Sequence, residues 1–263
     1  GIIQRAEPVK REPPKPFELP PQNENMRRVY AYLLNRRGID REVLSAFVHK
    51  GMIYESADYH NAVFVGYDEH GIARHAHKRG TGSESTYKGN AESCDPRYSF
   101  HWTGTDNALY LFEAPIDMMS FLTLYPKDWQ KHSCIAMNGV YENAVLAALK
   151  NHSNLSEVIL CVDNDEGGIE AVDRLKDILS ENGYTDVKRL APKFKDWNEV
   201  LKAKNGVKAL PAVPHKRKEE YLKEVSELGY LKCRPDKLTS QIYATFKNGQ
   251  YKYLAEYALA LYH

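Results

Sequence analysis

The chain has 263 residues, a formal net charge of +1, 43% hydrophobic residues and 27% charged ones. That length and balance predict a folded core in one large or two small domains, and no global basic charge announces nucleic acid. No apolar run approaches the ~20 residues that cross a bilayer, and the polar, Pro-bearing start "GIIQRAEPVK" does not read as a signal peptide. A cytoplasmic protein is expected, and the missing initiator Met predicts a region upstream. Cys94, Cys134, Cys161 and Cys233 form no CxxC pair, which argues against a zinc ribbon. Cys134 and Cys161 fall in apolar strand patterns, where a free thiol acts as a small apolar group; a reducing compartment fits.

Residues 1–24 contain "EPPKPFELPPQ", whose prolines deny helix and predict a linker or surface arm. From Asn25 the texture changes. "NENMRRVYAYLLNRRGI" carries an apolar helical stripe stopped by Gly38, and "DREVLSAFVHKGM" repeats it between an Asp40 cap and Gly51. "MIYES", "NAVFVGYD" and "GIARHAHKRG" then read as strands, the last two joined by the turn "YDEHG". Residues 25–106 are therefore expected to form a small α+β subdomain.

From Asn107 strands and helices alternate. "ALYLF" precedes "PIDMMSFLTLY", "SCIAM" precedes "YENAVLAALKNH", "EVILC" precedes "GGIEAVDRLKDILSEN", and "DVKRL" precedes "DWNEVLKAK". Four serial strand–helix units predict an α/β domain over 107–204, a parallel sheet with helices on both faces. Residues 205–263 hold two amphipathic stretches, "HKRKEEYLKEVSEL" and "QYKYLAEYALALY", and predict a helical extension in which Tyr253 and Tyr257 are core rather than base-stacking residues.

The acids in this block have a common address. Glu113 closes the first strand, Asp163 and Asp165 close the third in "VDNDEGG", and Asp196 opens the last helix in "KDWNEVL". In an open parallel sheet these places lie on one edge, where ligands bind. Asp117 follows Glu113 by four residues on the first turn of its helix. Single acids there also serve as helix caps, but the joint pattern points to a site. Carboxylates without Cys or His suit Mg²⁺ or Mn²⁺ rather than zinc. The chemistry this serves is phosphoryl or nucleotidyl transfer, or phosphodiester cleavage. Glu113, Asp163 and Asp165 are the expected catalytic residues; Glu113, Asp117, Asp163, Asp165 and Asp196 are the expected metal ligands.

This constellation resembles the Toprim domain of bacterial primases, topoisomerases and some nucleases. Glu113 matches the Glu after that family's first strand, Asp163 and Asp165 its DxD after the third, and "AMNGV" supplies a Gly, Gly139, after the middle strand. Asp117 and the turn "KDWNE", with Asp196, are similar to features of the primases. Asn198 stands where a second acid of that turn would be, and Ala114 where a Gly usually follows the Glu. "YLLNRRGIDREVLSAFVHKGMIYES" through "FEAPID" resembles a domain of unknown function paired with Toprim in proteins of conjugative plasmids and transposons. The resemblance implies a Rossmann-like four-strand parallel sheet, Mg²⁺ (or Mn²⁺) and primase-like chemistry in replication or transfer of a mobile element. It also implies single-stranded DNA or primer–template, nucleoside triphosphates, and replication or conjugation proteins as partners. A topoisomerase would need a strand-passing Tyr on a separate module, and none is visible.

"GIARHAHKRGTGSESTYKGN" concentrates Arg74, His75, His77, Lys78, Arg79 and Lys88. Arg74, Lys78, Arg79 and Lys88, with Lys193 and Lys195 beside Asp196, are the expected phosphate contacts. Strand alternation would put Arg74 and Lys78 on one face and Arg79 on the other. His75 and His77 lack a third ligand, so surface or phosphate-facing roles are expected of them. Two alternatives stand beside primer synthesis: a metal-dependent nuclease using the same acids, and a non-catalytic DNA- or partner-binding module, which Asn198 and Ala114 favour.

Overall fold

The computed structural model describes residues 15–139 and 142–212; the C-terminal helical extension expected over 205–263 lies almost wholly outside them. Helix α1 (Arg27–Tyr30) runs on as a π-helical segment, Ala31–Arg36, and ends where Gly38 takes φ +72°. Helix α2 (Arg41–His49) starts at Asp40, whose side chain accepts from the backbone N–H groups of Glu42 and Val43 at 2.8 and 3.2 Å. Strands β1 (Ile53–Glu55), β2 (Ala62–Tyr67), β3 (Ala73–Arg79) and β4 (Lys88–Asn90) pair antiparallel in that order.

The second sheet contains β5 (His101–Trp102), β6 (Ala108–Phe112), β7 (Ser133–Ala136), β8 (Glu157–Leu160) and β9 (Val187–Arg189), in the order β5-β7-β6-β8-β9. Its last four strands are mutually parallel, as the serial units predict, and β5 adds a short antiparallel edge. Helices α3 (Pro115–Leu124), α4 (Glu142–Asn151), α5 (Glu166–Glu181) and α6 (Trp197–Lys204) follow β6 to β9.

The two sides of this sheet carry different cores. On one, Val145, Leu149, Val172, Leu175 and Leu179 of α4 and α5 pack on Leu109, Leu111, Val158 and Leu160. On the other, Met118, Leu122, Trp197 and Leu201 of α3 and α6 share a core with Leu33, Leu44, Phe47 and Phe100. Helix α3 is buried along most of its length, so the N-terminal subdomain and the parallel sheet are joined by one apolar cluster. That junction brings the antiparallel sheet over the carboxyl edge of the parallel one. No helix among the described residues is long and apolar enough to cross a membrane.

Candidate active site

Each acid is set by the end of an element. Glu113 leaves β6, its carbonyl accepts from Asn138 N–H at 2.8 Å, and its Oε1 accepts from Asp163 N–H at 3.2 Å. Asp165 caps α5 by accepting from Gly168 N–H at 3.1 Å, and Asp196 caps α6 by accepting from Glu199 N–H at 2.7 Å. Helix α6 is pinned to the third parallel strand because Trp197 Nε1 donates to Cys161 O at 2.8 Å. Asn164, between the two acids of the DxD turn, ties that turn to the last loop: its N–H donates to Lys195 O at 2.7 Å and its Nδ2 to Pro192 O at 3.0 Å.

Gly168 is where the turn demands glycine. A Cβ there would sit 2.2 Å from Asp163 O and 2.8 Å from Glu113 Oε1, so any side chain would push the two acidic motifs apart.

Glu113, Asp117, Asp163 and Asp196 line one crevice of about 490 Å³ together with Arg37, Arg79, Lys88 and Lys195. Asp165 stands beside it, 3.8 Å from the Lys195 ammonium. Burial raises the carboxyl of Glu113 above its ordinary range, and the Asp165 charge adds to this. Burial, then Asp196, pushes Asp117 up to about 8. Burial, then the charges of Asp117 and Glu113, pushes Asp163 up to about 10. Asp196 is raised by burial against the opposing hydrogen bond from Glu199 N–H. Desolvation and mutual repulsion both disfavour the ionised forms, so these acids behave as one coupled set.

Among the described residues no group of three or more His, Cys, Asp or Glu forms a ready metal cluster. The donor chemistry nevertheless fits a hard cation. Mg²⁺ keeps several waters and takes one or two protein carboxylates, and Asp163 Oδ1 is buried with no hydrogen-bond partner.

The predicted cations divide. Arg79 and Lys88 face the crevice, with Arg79 Nε donating to Tyr32 OH at 3.3 Å, and Lys195 closes it from the other side. Arg74 is paired with Asp68 at 2.7 Å and is not among the lining residues. Lys78 is turned to the opposite face of β3, and Lys193 is exposed outside the crevice. Strand alternation along β3 sets Arg79 opposite Arg74 and Lys78. Of the surface or phosphate-facing roles expected of the histidines, the surface one fails, since His75 is 2% and His77 8% exposed, while His77 lines the crevice. Burial pushes His75 down to about 4, and the His77 ring nitrogen Nδ1 meets Asn90 Oδ1 at 2.8 Å.

Three crevice residues have no local sequence signal. Arg37 follows the π-helical segment, Asn90 lies on β4, and Asn138 takes φ +52° just before Gly139. Asn198 is fully engaged: its N–H donates to Asp117 Oδ1 at 3.2 Å, and its Nδ2 to Arg37 O and Ser120 Oγ, each at 2.9 Å. Its Oδ1 accepts from Arg37 Nη1 at 3.1 Å. An acid would lose the two amide donors and add a charge beside Asp117.

Residues 110–201 match the family described as Toprim-like, and residues 31–106 match the family described as protein of unknown function, DUF3991. The chain therefore pairs a DUF3991 domain with a Toprim domain. It is 27% identical over 196 residues to the uncharacterized protein pXO2-78 of Bacillus anthracis, covering 66% of this chain and 57% of that protein. It is 32% identical over 113 residues to the uncharacterized MG010 homolog of Mycoplasma pneumoniae, covering 42% of this chain and 51% of that protein. The chain thus spans little more than half the length of these curated relatives. Among solved structures, the primase fragment of the bacteriophage T7 primase-helicase protein superimposes with a TM-score of 0.51 at 20% identity, over 66% of this chain and 69% of that one. This likeness is one of fold: the chain shares the architecture of that primase fragment.

Proposed function

We propose that the crevice performs Mg²⁺- or Mn²⁺-dependent, primase-like nucleotidyl transfer on nucleic acid, in replication or transfer of a mobile element in the cytoplasm. The observation that carries this reading is the convergence of Glu113, Asp117, Asp163 and Asp196 on one crevice whose other wall is cationic. Glu113, Asp117, Asp163, Asp165 and Asp196 would hold the cation, which when bound supplies charge stabilisation at a reacting phosphate. Arg79, Lys88 and Lys195 would position the phosphates of a single strand or primer–template and of a nucleoside triphosphate. Arg37 would orient Asn198 and, through it, Asp117. In place of its role at the cation, Glu113 could in its ionised form take the proton of the attacking hydroxyl, since burial makes its carboxylate a stronger base than an exposed one.

The chain divides in this proposal into an arm (1–24), the N-terminal subdomain (25–106), the Toprim domain (107–204) and the extension (205–263). Replication or conjugation proteins would be its partners. The non-catalytic reading draws support from one observation: Asn198, in the place of a catalytic-turn acid, is wholly occupied in joining the subdomains.

The test is to incubate the full chain with a single-stranded template, nucleoside triphosphates and Mg²⁺ or Mn²⁺, beside Asp163→Ala. Triphosphate-dependent products that fall about 100-fold or more in the variant are expected. Shortening of the strand without triphosphate would favour the nuclease. Equal activity in a folded Asp163→Ala protein would remove Asp163 from the site.

A further inference from the structure

The β3–β4 hairpin is a blade with two working faces. His77, Arg79 and Lys88 look into the acidic crevice, while Lys78, by alternation, looks the other way. Behind it lies a second hollow of about 590 Å³, lined by Tyr59, Tyr87, Lys78, Arg28, Asp58 and Thr81 among others. Nothing in the site described above uses it.

Tyr59 is 88% exposed, the most exposed large apolar or aromatic side chain among the described residues. It is held there against its conformational preference. Tyr59 and His60 both take the left-handed region, at φ +59° and +52°, a conformation disfavoured for bulky residues. The surroundings fix this turn. Ser56 N–H donates to Asn61 O at 2.9 Å, Ser56 Oγ donates to Asp58 O at 2.6 Å, and Ala57 N–H donates to Pro21 O at 2.7 Å. His60 Nδ1 meets Glu55 Oε1 at 2.6 Å, and Thr81 Oγ1 donates to His60 O at 2.8 Å. The strained turn leaves its aromatic ring in solvent, where no packing repays the strain.

Tyr87, 46% exposed, shares the hollow, and the Lys78 ammonium lies 5.9 Å from its ring centroid. The rim is held rather than loose, because the Arg36 guanidinium donates to Gly82 O and Ser83 O at 2.7 and 2.6 Å. Two cations, Arg28 and Lys78, face one acid, Asp58. Exposed aromatic faces beside cations on a fixed rim complement a chain of stacked bases and phosphates. β4 is the edge strand of its sheet, and residues of the β3–β4 hairpin line both the crevice and the hollow.

We propose that this hollow is a second nucleic-acid subsite for an unpaired strand, with bases stacked on Tyr59 and Tyr87 and phosphates against Lys78 and Arg28. The inference rests on the primase-like reading for its class of ligand, but not on the metal or the catalytic acids. A duplex cannot stack its bases on these rings, so the subsite selects single strands.

The test is fluorescence anisotropy of the full chain with a labelled oligo(dT) of about 16 nucleotides and with a duplex of the same length. The account expects Tyr59→Ala/Tyr87→Ala to weaken single-strand binding about tenfold or more, and Tyr59→Phe/Tyr87→Phe to restore it by keeping the stacking faces. Duplex affinity should stay within about twofold. Arg79→Ala/Lys88→Ala probes the crevice separately. If that pair weakens binding while the Tyr→Ala pair does not, the hollow is overturned and the crevice reading stands. If the unaltered chain binds no single strand, the nucleic-acid reading fails and the subsite with it.

Discussion

The acidic rim and the basic hairpin face each other across one crevice, yet they were assembled by opposite rules. Glu113, Asp163 and Asp196 are far apart in sequence and arrive together because each lies at the carboxyl edge of the same parallel sheet. Arg79 is close in sequence to Arg74 and Lys78 and is separated from them, because a strand sends successive side chains to opposite faces. Topology gathers distant residues that share an edge, and pleating disperses neighbours that share a strand. A local excess of charge in a strand is therefore two half-patches rather than one patch.

The sharpest way to break the acidic rim without touching an acid is Gly168→Ala. The added methyl would lie 2.2 Å from Asp163 O and 2.8 Å from Glu113 Oε1. Overpacking of about 1–3 kcal/mol is expected in urea denaturation, with loss of metal-dependent activity well beyond that loss of stability. Wild-type activity would mean that the spacing of the two acidic motifs is slack.

Asn198→Ala separates the structural role of that position from a chemical one. Removing a buried amide that links Arg37, Ser120 and Asp117 should cost about 2–3 kcal/mol in the same assay. A loss of activity at full stability would instead assign Asn198 to the chemistry.

On the basic side the contrast is between two arginines of one strand. Arg79→Glu should weaken single-strand binding about tenfold and flatten its salt dependence, while Arg74→Ala should change it less than about twofold. Arg74 is already neutralised by Asp68 at 2.7 Å, away from the crevice. Equal effects would merge the two faces again.

Much of this was legible in the sequence because it is written in local physics. Gly38 and Gly51 stop helices by taking positive φ, Asp40 caps α2, and the serial strand–helix units form the parallel sheet. The acids at strand ends could be read because their address follows from that topology. What escaped depends on distant partners or on elements too short for a pattern. β5 is two residues long and β4 three. Arg37 reaches the crevice only because α1 and α3 share a core, and Asn198 looks like a lost acid until its partners on both subdomains are seen. His75 and His77, polar in sequence, are buried, and His77 lines the crevice.

The central claim is that the acids of this rim hold a divalent cation, and thermal melting of the full chain tests it directly. Asp117 rises from its ordinary 3.8 to about 8 and Asp163 from 3.8 to about 10, so the folded state binds these protons more tightly than the unfolded chain. Their contribution to stability is full below about pH 4 and is lost as pH climbs through the folded values. A cation bound only by the folded, ionised set offsets that loss, so its effect grows with pH. The account predicts that millimolar Mg²⁺ or Mn²⁺ raises the wild-type midpoint at pH 8, raises it less at pH 5, and leaves Asp163→Asn/Asp165→Asn unmoved. An equal rise in the wild type and the double variant, or no rise in the wild type at pH 8, would contradict it.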